Sequence, residues 1–317
     1  MERTGNDLWP TRGTIPERVG NARSPARKRP EPGPEPGPEA TLETTRSPTR
    51  SLARGTIPER PDPPENDPKT TRKPMLSALY YIFLVLLCTL FMILSAIALV
   101  VCYPFDPARR VVHELSRILV RIFFFIPLRW RQKVEGRELV DRHKSYVIVL
   151  NHNTVIDIPA LYYLPLNFRW VSKREVFRVP FFGQYLVLHG DICIDRGRAA
   201  EALEQMLREG RKWISRGASV AVFPEGTRSK DGEIHRFKAG AFTLAREAGV
   251  GILPVVMDGT RTLIRRNLLF NWGNRITIRV LPPVPAERVA AAEPHELMEE
   301  VRGAMCAALS DIRKKNR

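Results

Sequence analysis

From Met75 to Tyr103 the chain carries no charged side chain and is almost wholly apolar. As a helix this run of about 29 residues would rise about 43 Å, against about 30 Å of bilayer hydrocarbon. A soluble core rarely offers apolar partners around so long a helix, so the run predicts a membrane-associated element. It fits one tilted spanning helix, or a helix that enters the bilayer and bends back. A cleaved signal peptide does not fit, since its apolar region is about 7–15 residues long and lies at the chain start. Lys69, Arg72 and Lys73 precede the run and Arg109 and Arg110 follow it. The asymmetry that would orient it is therefore missing.

Residues 104–128 predict an amphipathic, membrane-proximal helix. Val111, Leu115, Ile118, Leu119 and Ile122 recur at helical spacing with Arg117 and Arg121 between them, and Phe123–Ile126 makes an apolar end before Pro127. Such a helix could lie on anionic lipid or pack into the globular domain.

Residues 1–74 hold over half of the prolines, including alternating Pro/Glu/Gly from Pro30 to Pro38. That composition cannot bury enough apolar surface to offset chain entropy, and predicts a disordered basic tail. Arg12–Arg18 recurs as Arg54–Arg60, which reads as a low-complexity duplication and not a solenoid. Translation from Met75 would lose no predicted fold, an expectation that an intact mass including residues 1–74 would rule out. The tail carries 14 basic and 11 acidic side chains, so +13 of the formal +16 belongs to the remainder. Such an excess suits polyanionic partners, whether nucleic acid, anionic lipid or phosphorylated substrates. Cys88, Cys102, Cys193 and Cys306 show no spacing of a zinc site or disulfide framework, which fits a reducing compartment.

Beyond residue 129 strand and helix patterns alternate. Strands are predicted at Trp130–Val134, Tyr146–Leu150, Phe168–Ser172, Ile192–Ile194, Ser219–Phe223, Ile252–Met257 and Arg275–Val280. Helices are predicted at Ala199–Arg216, stopped by Gly217, at Ala239–Ala248 and at His295–Lys314. The alternation predicts an α/β fold, with a mostly parallel central sheet and flanking helices. Sites then form at the carboxyl ends of strands.

Two strings fall at such strand ends. The first is Asn151-His152-Asn153-Thr154-Val155-Ile156-Asp157. With Asn153 as N-cap, His152 would be N′ and Asp157 N4, positions that meet in space. Pro159 would then fall at N6 and cost a helical bond. Asp157 could hold one ring N–H and leave the other nitrogen as a base toward an alcohol. A structural pair at a strand–helix corner is the competing reading. No third ligand stands at a spacing that suggests a metal. The second string is Phe223-Pro224-Glu225-Gly226-Thr227-Arg228-Ser229. There Gly226 permits close approach of a ligand, Arg228 can grip a phosphate, and Glu225 could accept a hydrogen bond from a substrate hydroxyl. An ordinary surface loop reads the same way. Ser229–Gly232 predicts a tight turn. Cys193 lies in a strand pattern with only His189 nearby, which argues against a nucleophile.

These strings, in this order after a membrane segment, resemble the 1-acylglycerol-3-phosphate (lysophosphatidate) acyltransferase family over about residues 104–285. Gly190–Arg196 looks like the family's second block, Leu253-Pro254-Val255-Val256 like its fourth, and Phe237-Lys238-Ala239-Gly240 also fits. Cys193 departs from a position where an aromatic is common. The resemblance implies an O-acyltransferase of phospholipid biosynthesis that moves a fatty acyl group to the free hydroxyl of lysophosphatidate, giving phosphatidate. His152 would be the general base and Asp157 its partner. Arg196, Glu225, Gly226, Thr227 and Arg228 would bind the acceptor, with Lys173 a further phosphate ligand. Pro254 would end a strand or shape the groove. No bound cofactor is implied. Acyl-CoA or acyl carrier protein would be the donor cosubstrate, the partners would be the bilayer and a lysophospholipid, and no nucleic acid is expected. The location implied is the inner (cytoplasmic) membrane, with the catalytic domain of 129–317 facing the cytoplasm. Open alternatives are another acceptor on the same fold (a different lysophospholipid, glycerol 3-phosphate or an amino-acid lipid), a hydrolase, or a non-enzymatic membrane-anchored protein that binds anionic ligands.

Overall fold

Strand β2, Tyr146–Leu150, is buried along its whole length, and its pleat divides the interior in two. Val147 and Val149 face one core; Tyr146, Ile148 and Leu150 face the other. A computed structural model describes residues 68–125, 131–195, 197–263 and 275–316 of the chain. The predicted tail as far as residue 67, the 126–130 junction and Arg196 lie outside them.

The other strands are β1 (Arg131–Glu135), β3 (Phe168–Lys173), β4 (Ile192–Ile194), β5 (Ser219–Val222), β6 (Gly251–Asp258) and β7 (Arg275–Val280). They form one sheet in the order β1-β7-β6-β2-β5-β3-β4. Every pairing is parallel except β6 with β7. The central strand is apolar on both faces because helices cover both, as a parallel sheet requires. One face is packed by α6 (Ala199–Ser215), α7 (Gly240–Ala248) and α9 (Pro294–Lys315) through Met206, Trp213, Phe242, Leu244, Val301 and Met305. α6 stops where Gly217 predicts. Gly217, at φ 81°, donates its N–H to Ile214 O, and Ala218 donates to Trp213 O, the paired bonds of a Schellman stop.

The other face is packed by the N-terminal helices. α1 runs unbroken from Pro68 to Cys102, so it begins inside the stretch assigned to the tail. Met75–Cys102 is long and apolar enough to cross a membrane, with 11% of its most apolar window buried. The chain then turns and α2 spans Arg110–Phe125, a later start than the predicted 104. Asp106 accepts the Val111 N–H at 2.8 Å and ties down that start. Tyr80, near the beginning of α1, donates its hydroxyl to Phe123 O at 2.5 Å, so the two helices run antiparallel. α2 buries Val112, His113, Ser116, Val120 and Phe124, whereas Val111 and Ile118 of the anticipated apolar stripe are exposed. The helix is apolar on two sides, and the domain takes the side that carries two polar groups.

Ser116 bonds to Val112 O and to the Tyr185 hydroxyl, and His113 enters a buried clasp through one ring nitrogen. His113 Nδ1 lies 3.0 Å from His189 Nε2, and His189 Nδ1 lies 2.8 Å from Asp191 Oδ1. Asp191 also accepts the Trp170 N–H at 2.8 Å. Arg169, fully buried in β3, donates to the carbonyls of Phe168 and Ala108 and lies over the Trp213 ring. His189, the histidine near Cys193 in sequence, is a core residue at the end of α5 (Phe182–His189).

Candidate active site

β2, β5 and β6 are parallel neighbours, with Val149 opposite both Val222 and Pro254. The segments that leave their carboxyl ends therefore emerge side by side. The 151–157 loop follows β2, the 223–229 turn follows β5, and the turn carrying Thr260 follows β6. Pro254 lies inside β6 and not at a strand end, contrary to the sequence expectation. Ile252 donates its N–H toward Val284, and residue 254 shares that parity. The missing N–H of Pro254 thus falls on the side where the β7 pairing only begins, at Val255.

His152 Nδ1 lies 3.0 Å from Asp157 Oδ2, and Asp157 is fully buried. Oδ2 also accepts the N–H groups of Asn153 at 2.6 Å and Thr154 at 2.7 Å, while Oδ1 accepts the Thr260 hydroxyl at 2.6 Å. The pairing is as read from the sequence; the local geometry is not. Asn153 caps no helix. The short helix α3 is Asp157–Ala160, which puts Asp157 at its first position and Pro159 in its first turn, where a missing N–H costs nothing. A loop wrapped around the carboxylate closes the five-residue gap. With Nδ1–H held by Asp157, Nε2 carries the lone pair, and it makes no hydrogen bond to any described residue.

The ring is held from a second direction. Phe223 stacks on His152 with centroids 3.8 Å apart, and Trp170 stacks on Phe223 at 5.0 Å. Asn151 exchanges two hydrogen bonds with the Met257 main chain, at 2.9 and 2.8 Å, locking the loop to β6. His152 N–H donates to Glu225 Oε1 at 3.0 Å, and Ser229 N–H donates to His152 O at 2.7 Å. The two strings are therefore bonded to each other.

Glu225 is buried, and its second oxygen accepts the His235 N–H at 3.1 Å. Burial pushes its carboxyl up from the ordinary range, against the pull of these two N–H donors. It braces the loops rather than standing open to a ligand. Gly226, at φ 73°, turns the chain outward, and Thr227 and Arg228 are exposed. Ser229–Gly232 is the predicted tight turn, with the Ser229 hydroxyl 2.8 Å from Asp231 and accepting the Gly232 N–H. Lys173 is exposed at the end of β3, paired in register with Ile194 of β4. Cys193 lies within β4, its thiol pushed up by burial, with no histidine against it.

Sequence reasoning did not reach Thr260, Asn151, Trp170 or the stacking role of Phe223. Asn151 and Phe223 open the two strings, though no role was read for them; Thr260 and Trp170 carry no local signal.

The acyltransferase family pattern matches residues 131–258, which span β1 to the end of β6 and both strings. Human 1-acyl-sn-glycerol-3-phosphate acyltransferase beta is 31% identical over 242 residues, covering 75% of this chain and 86% of that protein. The chain belongs to the 1-acyl-sn-glycerol-3-phosphate acyltransferase family. The Saccharomyces cerevisiae 1-acyl-sn-glycerol-3-phosphate acyltransferase is 34% identical over 208 residues, 63% of this chain and 68% of that one. The crystal structure of PlsC, the 1-acyl-sn-glycerophosphate acyltransferase of Thermotoga maritima, shares the fold, with a TM-score of 0.63 and 24% identity over 77% of this chain and 98% of that chain. The family is one of O-acyltransferases of phospholipid biosynthesis, and the chain is a membrane-associated enzyme of that class.

Proposed function

We propose that the protein transfers a fatty acyl group from acyl-CoA or acyl carrier protein to the free hydroxyl of 1-acylglycerol 3-phosphate, giving phosphatidate. The observation that carries this reading is His152, braced at Nδ1 by a buried carboxylate, on a loop bonded through its main chain to the turn that carries exposed Arg228. An alcohol is too weak an acid to ionise alone near neutrality. In the proposed step Nε2 takes the hydroxyl proton as the oxygen attacks the thioester carbonyl, an assistance of roughly 10²–10⁴-fold. Asp157 stabilises the imidazolium that forms. As the tetrahedral intermediate collapses, the C–S bond breaks and the imidazolium returns its proton to the departing thiolate. The products are the new ester and a free thiol.

Arg228 and Thr227 receive the acceptor's phosphate, with Lys173 and Arg196 as further cationic ligands, and Gly226 leaves room for the glycerol. Glu225 acts by holding the His152 main chain rather than by meeting substrate. No bound cofactor takes part. The basic excess concentrates anionic donor and acceptor at the bilayer. The catalytic domain faces the cytoplasm at the inner membrane, where the donors are dissolved.

The test offers labelled acyl-CoA and acyl carrier protein to the purified full-length enzyme with a panel of acceptors: lysophosphatidate, other lysophospholipids, glycerol 3-phosphate and an amino-acid lipid. Phosphatidate is the expected main product. His152→Ala is expected to lose turnover by about 10³-fold or more while remaining folded and membrane-bound. Preference for another acceptor overturns the substrate; near-normal turnover by His152→Ala overturns the mechanism.

A further inference from the structure

Between α4 (Arg174–Phe177) and α5 the chain makes an elbow that keeps apolar side chains out of the core. Val179 is 47% exposed, Phe181 66% and Phe182 43%, and Val187 one turn later is 61% exposed. Phe181 adopts φ 62°, ψ −49°, a conformation that residues with a side chain rarely take. The surroundings over-determine it. Phe182 donates its N–H to Pro180 O at 2.7 Å, Gly183 to Val179 O at 2.8 Å, and Tyr185 to Phe181 O at 3.1 Å. A Cβ on Gly183 would lie 2.0 Å from Phe177 O, so only glycine allows this close return of the chain. A strained backbone pinned by three bonds and a glycine contact, with two phenyl rings facing outward, signals a purpose outside the fold.

We propose that this elbow is a second membrane contact, which seats Phe181 and Phe182 in the headgroup–acyl boundary of an anionic phospholipid bilayer. Two observations select lipid as the occupant. α5 packs against α1 and α2, with the Tyr185 hydroxyl 2.6 Å from Ser116. The elbow therefore leads into a helix packed on α1, whose Leu86, Leu90, Ile93 and Ile97 are themselves exposed. Exposed Lys173, Arg174 and Arg178 flank it, and although Arg174 pairs with Asp195 at 2.8 Å and Glu175 is exposed among them, the border keeps the cationic excess that an interfacial aromatic cluster carries against anionic headgroups. The inference goes beyond the acyl-transfer reading and does not depend on it.

The full-length protein is reconstituted in vesicles of phosphatidylcholine and phosphatidylglycerol with bromine at a defined acyl depth. Quenching is read as the difference from the unsubstituted protein. A tryptophan from Phe182→Trp is expected to be quenched, while one from Arg246→Trp, on α7 across the sheet, is not. Equal quenching at the two positions overturns the proposal. So does elbow-dependent dimerisation without quenching, which would make a second copy the occupant. As a second readout, Phe181→Ser with Phe182→Ser should lower turnover on vesicle-borne acceptor about tenfold. Turnover on acceptor dispersed in detergent micelles should stay within about twofold, and the corresponding leucine pair should restore vesicle activity. An equal loss in both media places the effect within the catalytic domain and overturns the membrane role. Because quenching needs no turnover, its outcome is separate from any failure of the acyl-transfer reading.

Discussion

Thr260 offers a sharp test of how the Asp157 carboxylate is held. Its hydroxyl meets Asp157 Oδ1 at 2.6 Å, and both residues are buried. Oδ2 already receives the His152 ring, Asn153 N–H and Thr154 N–H. Thr260→Val keeps the shape and removes the donor, leaving one oxygen of a buried carboxylate unpaired. A hydrogen bond to a charged group contributes about 1.5–3 kcal/mol, and the unpaired group adds its own desolvation, so a loss of about 2–3 kcal/mol is expected. For a domain of this size each kcal/mol shifts Tm by about 2–4 °C, which gives a fall of about 4–12 °C. Paired melts in one detergent at one scan rate read it. Freed from this anchor the carboxylate can rotate, so kcat should fall about tenfold with KM little changed, a share of the general-base contribution. Thr260→Ser keeps the hydroxyl and should recover both. If Thr260→Val melts and turns over like the unsubstituted enzyme, the carboxylate is not held this way. If Thr260→Ser is equally damaged, the methyl packing matters and the hydrogen bond does not.

Glu225→Gln keeps the volume but turns an NH₂ toward one of the two main-chain donors. A bracing role predicts a fall in kcat of about tenfold or more with KM nearly unchanged; a rise in KM alone would mean that Glu225 meets the acceptor directly. Burial, before any neighbouring charge, holds His113 well below and His189 below the ordinary histidine range, with Arg169 pushing both further down and Asp191 opposing for His189. The unfolded chain therefore binds more protons as pH falls below about 6.5, and stability is lost in that direction. Melts between pH 7.5 and 5.5 should show the decline, and His113→Phe, which can keep the ring contacts to Tyr162 and Phe168, should flatten it; an unchanged slope places the acid sensitivity elsewhere.

Tyr146–Leu150 was legible because a parallel strand buried on both faces reads as a short apolar run bounded by turn residues, and Arg275–Val280 was legible from the alternation of Ile276, Ile278 and Val280; each is a strand as read. The helix α6 was legible from its period and its glycine stop. The helices missed were α4, α5 and α8 (Ala286–Ala291), four, eight and six residues long, too short for a helical period to emerge. Which face of α2 the domain would bury stayed open because two of its sides are apolar. A hydrophobic pattern does not tell which side faces protein when the other faces lipid.

At the site, the sequence by itself determined the reacting types and their order: a histidine and an aspartate five residues apart after one strand, and a Glu-Gly-Thr-Arg turn after another. It also determined that an apolar helix would keep them near a membrane. Tertiary structure alone decided that Asp157 is gripped by loop N–H groups and by Thr260, 103 residues further on. It also decided that Glu225 braces the His152 main chain, and that Phe223 and Trp170 hold the imidazole face. The reason is physical. Residue identity sets which bonds a side chain can make. Which partners it meets depends on strand order, and the strands β2, β5 and β6 become neighbours only when the sheet assembles.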